Sequence, residues 1–244
     1  MVTLVSYENS AEDLFKISNS IINRLGYNYW ICDGTLLGVI RDNKILSWDH
    51  DIDFAVWKDE VNIDFIVKAF TEAGFQQENV FGNDCLHFIG GNKKIDISLF
   101  SRDNKSFYAK FLFIKEFDVV NKILYVLTRT LCFDTKIEDI KRRFNFKRAK
   151  SYIIFPIELL LIYLKWMIPN SIKSKVLSYS LKKFNYVFAR FPIELMKFKC
   201  IKFLDENVVV PVESEKYLEI AYGKDWRIPK KNYDWTTEAT NLTM

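Results

Sequence analysis

Glycine and proline are scarce, at 8 and 5 of 244 residues, which excludes long linkers and low-complexity segments. No internal repeat stands out, so a solenoid or propeller is not expected. The four cysteines, Cys32, Cys85, Cys132 and Cys200, are scattered, with no C-x-x-C pair and no metal-type spacing. Reduced, buried thiols and a reducing compartment follow from that pattern. Residues Met1 to Glu8 lack a basic region followed by a long apolar stretch, so no secretory signal is expected, and the Asn241-Leu242-Thr243 sequon carries no weight without one. The expected location is cytoplasmic, at the inner face of the membrane if the chain meets one. The net charge of +4 is modest, and the basic residues form one short run, not a broad stripe, so a nucleic-acid partner is not expected.

What is present is apolar and aromatic. A hydrophobic fraction of 49% and an aromatic fraction of 16% indicate a well-buried core, and 244 residues suffice for one full domain and a smaller second lobe. Ser10 followed by Asp13 reads as a capped helix start. Leu14, Ile17, Ile21 and Leu25 then recur at helical spacing up to Gly26. Tyr27 to Ile31 reads as a short strand, Leu36 to Arg41 as a brief helix, and Asn62 to Ala73 as a second helix with Phe65, Ala69 and Phe70 inward. Leu86–Ile89 and Lys94–Phe100 read as a hairpin around Gly90-Gly91-Asn92. Further antiparallel strands are expected within Phe107 to Leu127.

From about Lys136 the pattern becomes helical. A basic run, Lys141 to Lys150, precedes an apolar stretch from Tyr152 to Ile168 that is shorter than the roughly 20 residues of a membrane span. A core helix of the second lobe is the first reading, and an amphipathic helix in a membrane surface is its rival. A third helical pattern runs from Ser171 to Phe188. The expected organisation is a catalytic lobe over 1–135 and a mainly helical C-terminal lobe over 136–244 that completes the site.

Chemistry concentrates in Trp48-Asp49-His50-Asp51-Ile52-Asp53-Phe54. On a strand, Asp49, Asp51 and Asp53 share one face, while Ile52, Phe54 and Val56 face the other. Like charges so placed repel unless a cation sits among them, and Mg²⁺ is the usual occupant where a phosphate completes the shell. A solvated acidic turn is the other reading of an isolated triplet. Two further pieces favour the metal site. Asp33-Gly34-Thr35-Leu36-Leu37-Gly38 is a strand end turning into a helix, where glycine permits close approach and N–H groups attract phosphate. Asp96, on a later strand with Ser98 on its polar face, can share a metal or take a proton from an attacking hydroxyl. Together these suit in-line phosphoryl or nucleotidyl transfer, which depends mainly on positioning and charge neutralisation.

Those residues resemble the LicD/fukutin family. The resemblance rests on Trp30-Ile31-Cys32-Asp33-Gly34-Thr35-Leu36-Leu37-Gly38-Val39-Ile40-Arg41 and on Ile45 to Asp53. It extends to Lys94-Ile95-Asp96-Ile97, Tyr222-Gly223 and Trp226-Arg227-Ile228-Pro229. It implies an α+β, nucleotidyltransferase-like mixed sheet flanked by helices. It also implies Mg²⁺ (Mn²⁺ as the other candidate), a CDP-linked or other nucleotide donor, and transfer of phosphocholine or an alditol phosphate. The implied acceptor is a hydroxyl of a cell-surface glycan or its lipid-linked precursor; peripheral membrane contact rests instead on the basic run and the apolar stretch after it. Asp51 and Asp53 match the metal pair, Asp96 the third carboxylate, and all three are the implied catalytic and metal residues. Gly34 and Thr35 match the donor-binding turn. Arg41 closes that block, where a phosphate contact is chemically sensible, and Arg227 is the second candidate for the donor phosphate. Leu46-Ser47-Trp48 lacks the proline that the family often has there.

Other readings stay open. A nucleotidyltransferase would use an NTP and release pyrophosphate. An Asp-x-Asp glycosyltransferase is disfavoured by the Gly-Thr turn and by Asp96. An inactive binding subunit would be expected to have lost a carboxylate. Asp49 could join the metal or cap the loop, Asp33 could orient the turn or reach a ribose, and His50 and His87 read as structural.

Overall fold

The computed structural model describes residues 9–78, 81–91, 93–114, 119–133 and 151–244. Helix α1 (Ala11–Leu25) starts as its sequence dictates: the Ser10 hydroxyl accepts the Asp13 N–H at 3.1 Å, and the Asp13 carboxylate accepts the Ser10 N–H at 2.9 Å. It ends at Gly26, whose φ of 71° is left-handed. Leu14, Phe15, Ile21 and Ile22 form its buried stripe.

Strand β1 (Tyr29–Ile31) runs antiparallel to β2 (Asp51–Trp57). Between them lie α2 (Asp33–Leu37) and a single π-turn at Gly38–Asp42. A Cβ on Gly38 would meet the Lys44 carbonyl oxygen at 2.5 Å, so the chain can fold back here only without a side chain. After α3 (Ile63–Glu72) and β3 (Gln76–Glu78), the hairpin of β4 (Cys85–Gly90) and β5 (Lys93–Arg102) forms as expected. Strand β5 pairs parallel with β2 on its other edge, setting Asp53 opposite Asp96. The sheet continues through β6 (Ser106–Phe113) and β7 (Asn185–Pro192). A separate hairpin joins β8 (Phe198–Phe203) to β9 (Glu206–Pro211), and β10 (Leu242–Thr243) closes the edge beside β7. The architecture is α+β with a mixed sheet.

The remaining helices are α4 (Val119–Cys132), α5 (Ser151–Leu164), α6 (Asn170–Lys183), α7 (Ser214–Tyr222) and α8 (Trp235–Glu238). Contacts divide the chain into two units. The first comprises Met1–Glu78, Asn83–Phe111 and Val187–Met244. Its aromatic core includes Trp30, Phe54, Phe107, Phe191 and Tyr217, with the Phe191 and Tyr217 rings stacked at 3.9 Å. The second, Asn79–Gly82 and Leu112–Tyr186, is built on α4, α5 and α6. There Phe81 stacks on Tyr125 and Phe133, and the Thr128 and Ser180 hydroxyls meet at 2.6 Å.

Several local expectations shift. Residues 119–127 are helical where antiparallel strands were expected. Their β-branched residues favour strands, but packing of α4 against α6 overrides that preference. The third helical pattern ends at Lys183, because residues from Asn185 pair into the sheet. In α3 the buried residues are Ile66 and Phe70, while Phe65 is 59% exposed. Strand β2 is buried on both faces from Ile52 to Trp57, so only its beginning alternates. The division by contacts falls after Phe111, not at 135, and residues 187–244 rejoin the first unit. The basic run Lys141 to Lys150 lies outside the described residues.

Candidate functional site

The site begins where β1 ends. Asp33 adopts a φ of 43°, a left-handed conformation that aspartate tolerates better than most residues, and the chain turns there into α2. That turn brings Gly34 and Thr35 against the first residues of β2. The Thr35 N–H donates to Asp53 Oδ2 at 3.1 Å, and the Asp53 N–H donates to Thr35 Oγ1 at 2.7 Å. Thr35 and Asp53 are both buried, so this exchange satisfies groups that water cannot reach. The Thr35 N–H, expected to face a phosphate, therefore serves a carboxylate.

Gly34 is required for a related reason. A Cβ there would overlap Asp49 Oδ2 and would lie 3.4 Å from Asp53 Oδ2. Asp49 sits in the loop before β2, where its carboxylate accepts the His50 N–H at 2.9 Å and its carbonyl oxygen accepts from Lys93 Nζ. Carboxylate oxygens of Asp49, Asp51 and Asp53 all lie within 4.8 Å of one another. Asp96 stands in register with Asp53, and its Oδ1 meets His87 Nδ1 at 2.8 Å.

The charge of this group is poorly offset. Burial first, and then the Asp51 and Asp96 charges, raise Asp33 to about 6. Burial and then Asp51 raise Asp49 to about 7. Asp53 is raised well above the ordinary carboxylate value by burial and by Asp51, Asp33, Asp49 and Asp96. Lys93 acts in the opposite sense, lowering Asp49. Crowded, desolvated carboxylates are relieved by a cation, and an all-oxygen, hard donor set suits Mg²⁺ or Mn²⁺. Asp49, Asp51 and Asp53 could hold such an ion, with Asp96 beside them.

A cleft of about 420 Å³ is lined by Leu37 and Arg41, which follow the turn in sequence, by residues of the C-terminal block from Tyr222 to Tyr233, and by Glu238. Burial and the charges of Asp33, Asp53 and Asp49 raise the Tyr222 phenol far above its usual value. Both arginines expected at a donor phosphate are engaged with acids. Arg41 is bidentate to Asp42, at 3.0 and 2.9 Å, and also donates to the Trp226 carbonyl at 3.4 Å. Arg227 pairs with Glu215 at 2.7 Å over the Trp226 ring. Among the cleft's cations, Lys230 contacts Glu238. Lys231 lies 5.8 Å from the Trp48 ring centroid. Sequence reasoning gave no role to Tyr222, Tyr233 or Lys93 and read His87 as structural. Only the alternation along β4 and β5 could have placed His87 beside Asp96.

The site thus sets the carboxylates of a mixed sheet beside a glycine-containing turn. Residues 26–169 match the family described as LicD/FKTN/FKRP, nucleotidyltransferase domain, and the chain belongs to that family. It is 26% identical over 243 residues to the ribitol-5-phosphate transferase FKTN of Homo sapiens, covering 99% of this chain and 38% of that protein. The Mus musculus FKTN is 25% identical over 247 residues, with the same coverages. An uncharacterised protein of Rickettsia typhi is 27% identical over 99 residues, covering 40% of this chain and 31% of that one. The chain thus spans 38% of the length of its FKTN relatives.

Proposed function

We propose that the chain transfers a phospho-alcohol group, an alditol phosphate or phosphocholine, from a CDP-linked donor to a hydroxyl of a glycan or its lipid-linked precursor. The observation that carries this reading is the union of Asp53 with the Gly34-Thr35 turn, with Asp49 and Asp51 alongside and Asp96 in register. Membership of the LicD/FKTN/FKRP family and the ribitol-5-phosphate activity named for FKTN support the choice of group.

Asp51 and Asp53, with Asp49 and Asp96 near them, would hold Mg²⁺ or Mn²⁺. When bound, the ion neutralises the donor diphosphate and polarises its phosphoryl oxygens. Asp96 accepts the proton of the acceptor hydroxyl. The hydroxyl oxygen bonds to the phosphorus bearing the alcohol, the bond from that phosphorus to the CMP oxygen breaks, and CMP leaves. Gly34 and Thr35 line the donor side of the carboxylates. The cleft walled by Tyr222 and Trp226 takes the nucleotide, with Arg41 and Arg227 reaching its phosphates once released from their acid partners.

The family description also names a nucleotidyltransferase domain, which favours one second reading: attack on the α-phosphate of an NTP with release of pyrophosphate. A thermal-shift screen of CDP-ribitol, CDP-choline, CDP-glycerol and NTPs, with and without Mg²⁺, separates them. Mg²⁺-dependent stabilisation by a CDP-alcohol, followed by CMP release, is expected. Pyrophosphate release from an NTP would replace the first reading with the second. Cytoplasmic placement with peripheral contact at the membrane belongs to the same proposal. The membrane contact is supported by the exposed apolar residues Leu160, Tyr163, Trp166 and Met167 on and just after α5. No described helix is long and apolar enough to cross a membrane.

A further inference from the structure

Across β4, β5 and β2, His87, Asp96 and Asp53 stand in one row, because His87 is opposite Asp96 in the antiparallel pair and Asp96 opposite Asp53 in the parallel one. His87 therefore reaches Asp96 from the side away from Asp53. Its Nδ1 lies 2.8 Å from Asp96 Oδ1, and the tautomer with its hydrogen on Nδ1 is the one that donates to a carboxylate there. The histidine is well shielded, at 15% side-chain exposure, and its Nε2 is buried with no hydrogen-bond partner among the described residues.

The setting gives this contact a role. Asp33 and Asp53 both feel the Asp96 charge, so Asp96 is repelled by the carboxylates it stands among. Left alone, a strand aspartate in that field would turn its carboxylate toward water. The donor from β4 opposes that rotation and engages one oxygen. We propose that His87 is a positioning residue, holding Asp96 by Oδ1 so that its second oxygen stays available to the metal. This inference rests on the role proposed above for Asp96.

The test measures Mn²⁺ binding to the full chain by electron paramagnetic resonance of the free ion, in His87→Phe, His87→Asn, Asp96→Asn and the His87→Phe/Asp96→Asn double variant. Loss of a partner that orients a metal ligand weakens binding about 10-fold, so His87→Phe should do so. His87→Asn places an amide N–H near the Nδ1 position and should recover most of that loss. The double variant should bind no more weakly than Asp96→Asn alone, since the histidine acts through the aspartate. If His87→Phe fails to fold, comparison of His87→Asn with His87→Gln, whose donor lies one bond further out, carries the same test, with asparagine the tighter binder. Wild-type affinity in His87→Phe, equal loss in the asparagine and phenylalanine variants, or additive loss in the double variant would overturn the inference. If Asp96→Asn weakens Mn²⁺ binding and His87→Phe does not, only the role of His87 fails. If Asp96→Asn binds Mn²⁺ normally, Asp96 as a metal ligand fails and the role of His87 falls with it.

Discussion

Thr35 and Asp53 exchange hydrogen bonds in both directions: the Thr35 N–H reaches the Asp53 carboxylate, and the Thr35 hydroxyl accepts the Asp53 N–H at 2.7 Å. One hydroxyl thus keeps a buried strand amide satisfied and ties the turn to the strand. Thr35→Val preserves shape but strands the Asp53 N–H, at a cost of about 1–3 kcal/mol. In a chain of this size each kcal/mol lowers Tm by roughly 2–4 °C. Thr35→Ser keeps the acceptor and should melt close to wild type. Equal melting of the valine and wild-type proteins would show that the exchange does not matter.

Gly34→Ala tests the other side of the turn. The added methyl would occupy the space of Asp49 Oδ2, and a side chain can rotate away where backbone cannot. The fold should therefore survive while Asp49 leaves the cluster. Expected are a near-normal circular dichroism spectrum and Mn²⁺ affinity reduced by about 10-fold. Unchanged affinity would remove Asp49 from the site.

Most of this turn was legible from residue order. Asp33-Gly34-Thr35 and Asp51-x-Asp53 identified the two elements, and alternation set Asp96 on the polar side of its strand. The partners were not legible, because contacts between strands depend on register. Parallel pairing of β2 with β5 sets Asp96 against Asp53, and antiparallel pairing of β4 with β5 sets His87 against Asp96. Gly34 was read as room for a phosphate, yet its close neighbour is Asp49. The strand expectation over 119–127 failed because Val119, Val120 and Ile123 carry strand preference into a helix held by its packing partners.

Stability should depend on pH in an unusual direction at this site. Asp49 titrates at about 7 in the folded chain against an ordinary value of 3.8, so folding favours its neutral form. Its favourable contribution is complete below about pH 4 and is lost as pH rises through 7. Asp33, at about 6, acts in the same sense over a slightly lower window. In the presence of EDTA, Asp49→Asn should therefore raise Tm at pH 8 and change it little at pH 4.5. Mg²⁺ should stabilise the wild type more at pH 8 than at pH 5, since the ion binds the ionised carboxylates. A variant whose Tm difference from wild type is the same at both pH values would contradict this account.

Asp51→Asn removes one charge from the metal pair while keeping the size of the side chain. With the CDP-alcohol that binds in the thermal-shift screen, turnover should fall by at least about 100-fold, in the range of other lost electrostatic groups. Tm in EDTA should hold or rise, because a repulsive charge has gone. Near-normal turnover in a folded Asp51→Asn protein would sink the catalytic assignment.

The second unit turns an unusual surface outward. Glu158 and Lys165 are buried, at 5% and 9% exposure, whereas Leu160, Tyr163, Trp166 and Met167 are 58%, 69%, 84% and 79% exposed. An apolar face with tryptophan and tyrosine near its end, on a helix too short to span, suits the boundary between headgroups and acyl chains. Exposed Lys175, Lys182 and Lys183 on α6 add attraction to anionic lipid. Flotation with phosphatidylserine-containing vesicles should carry the wild-type chain upward, less so at high salt. Leu160→Glu/Trp166→Ser should abolish flotation while leaving Mn²⁺ affinity unchanged, because those residues belong to the second unit and the carboxylates to the first. A wild-type chain that stays at the bottom of the gradient would end the membrane assignment without touching the catalytic one.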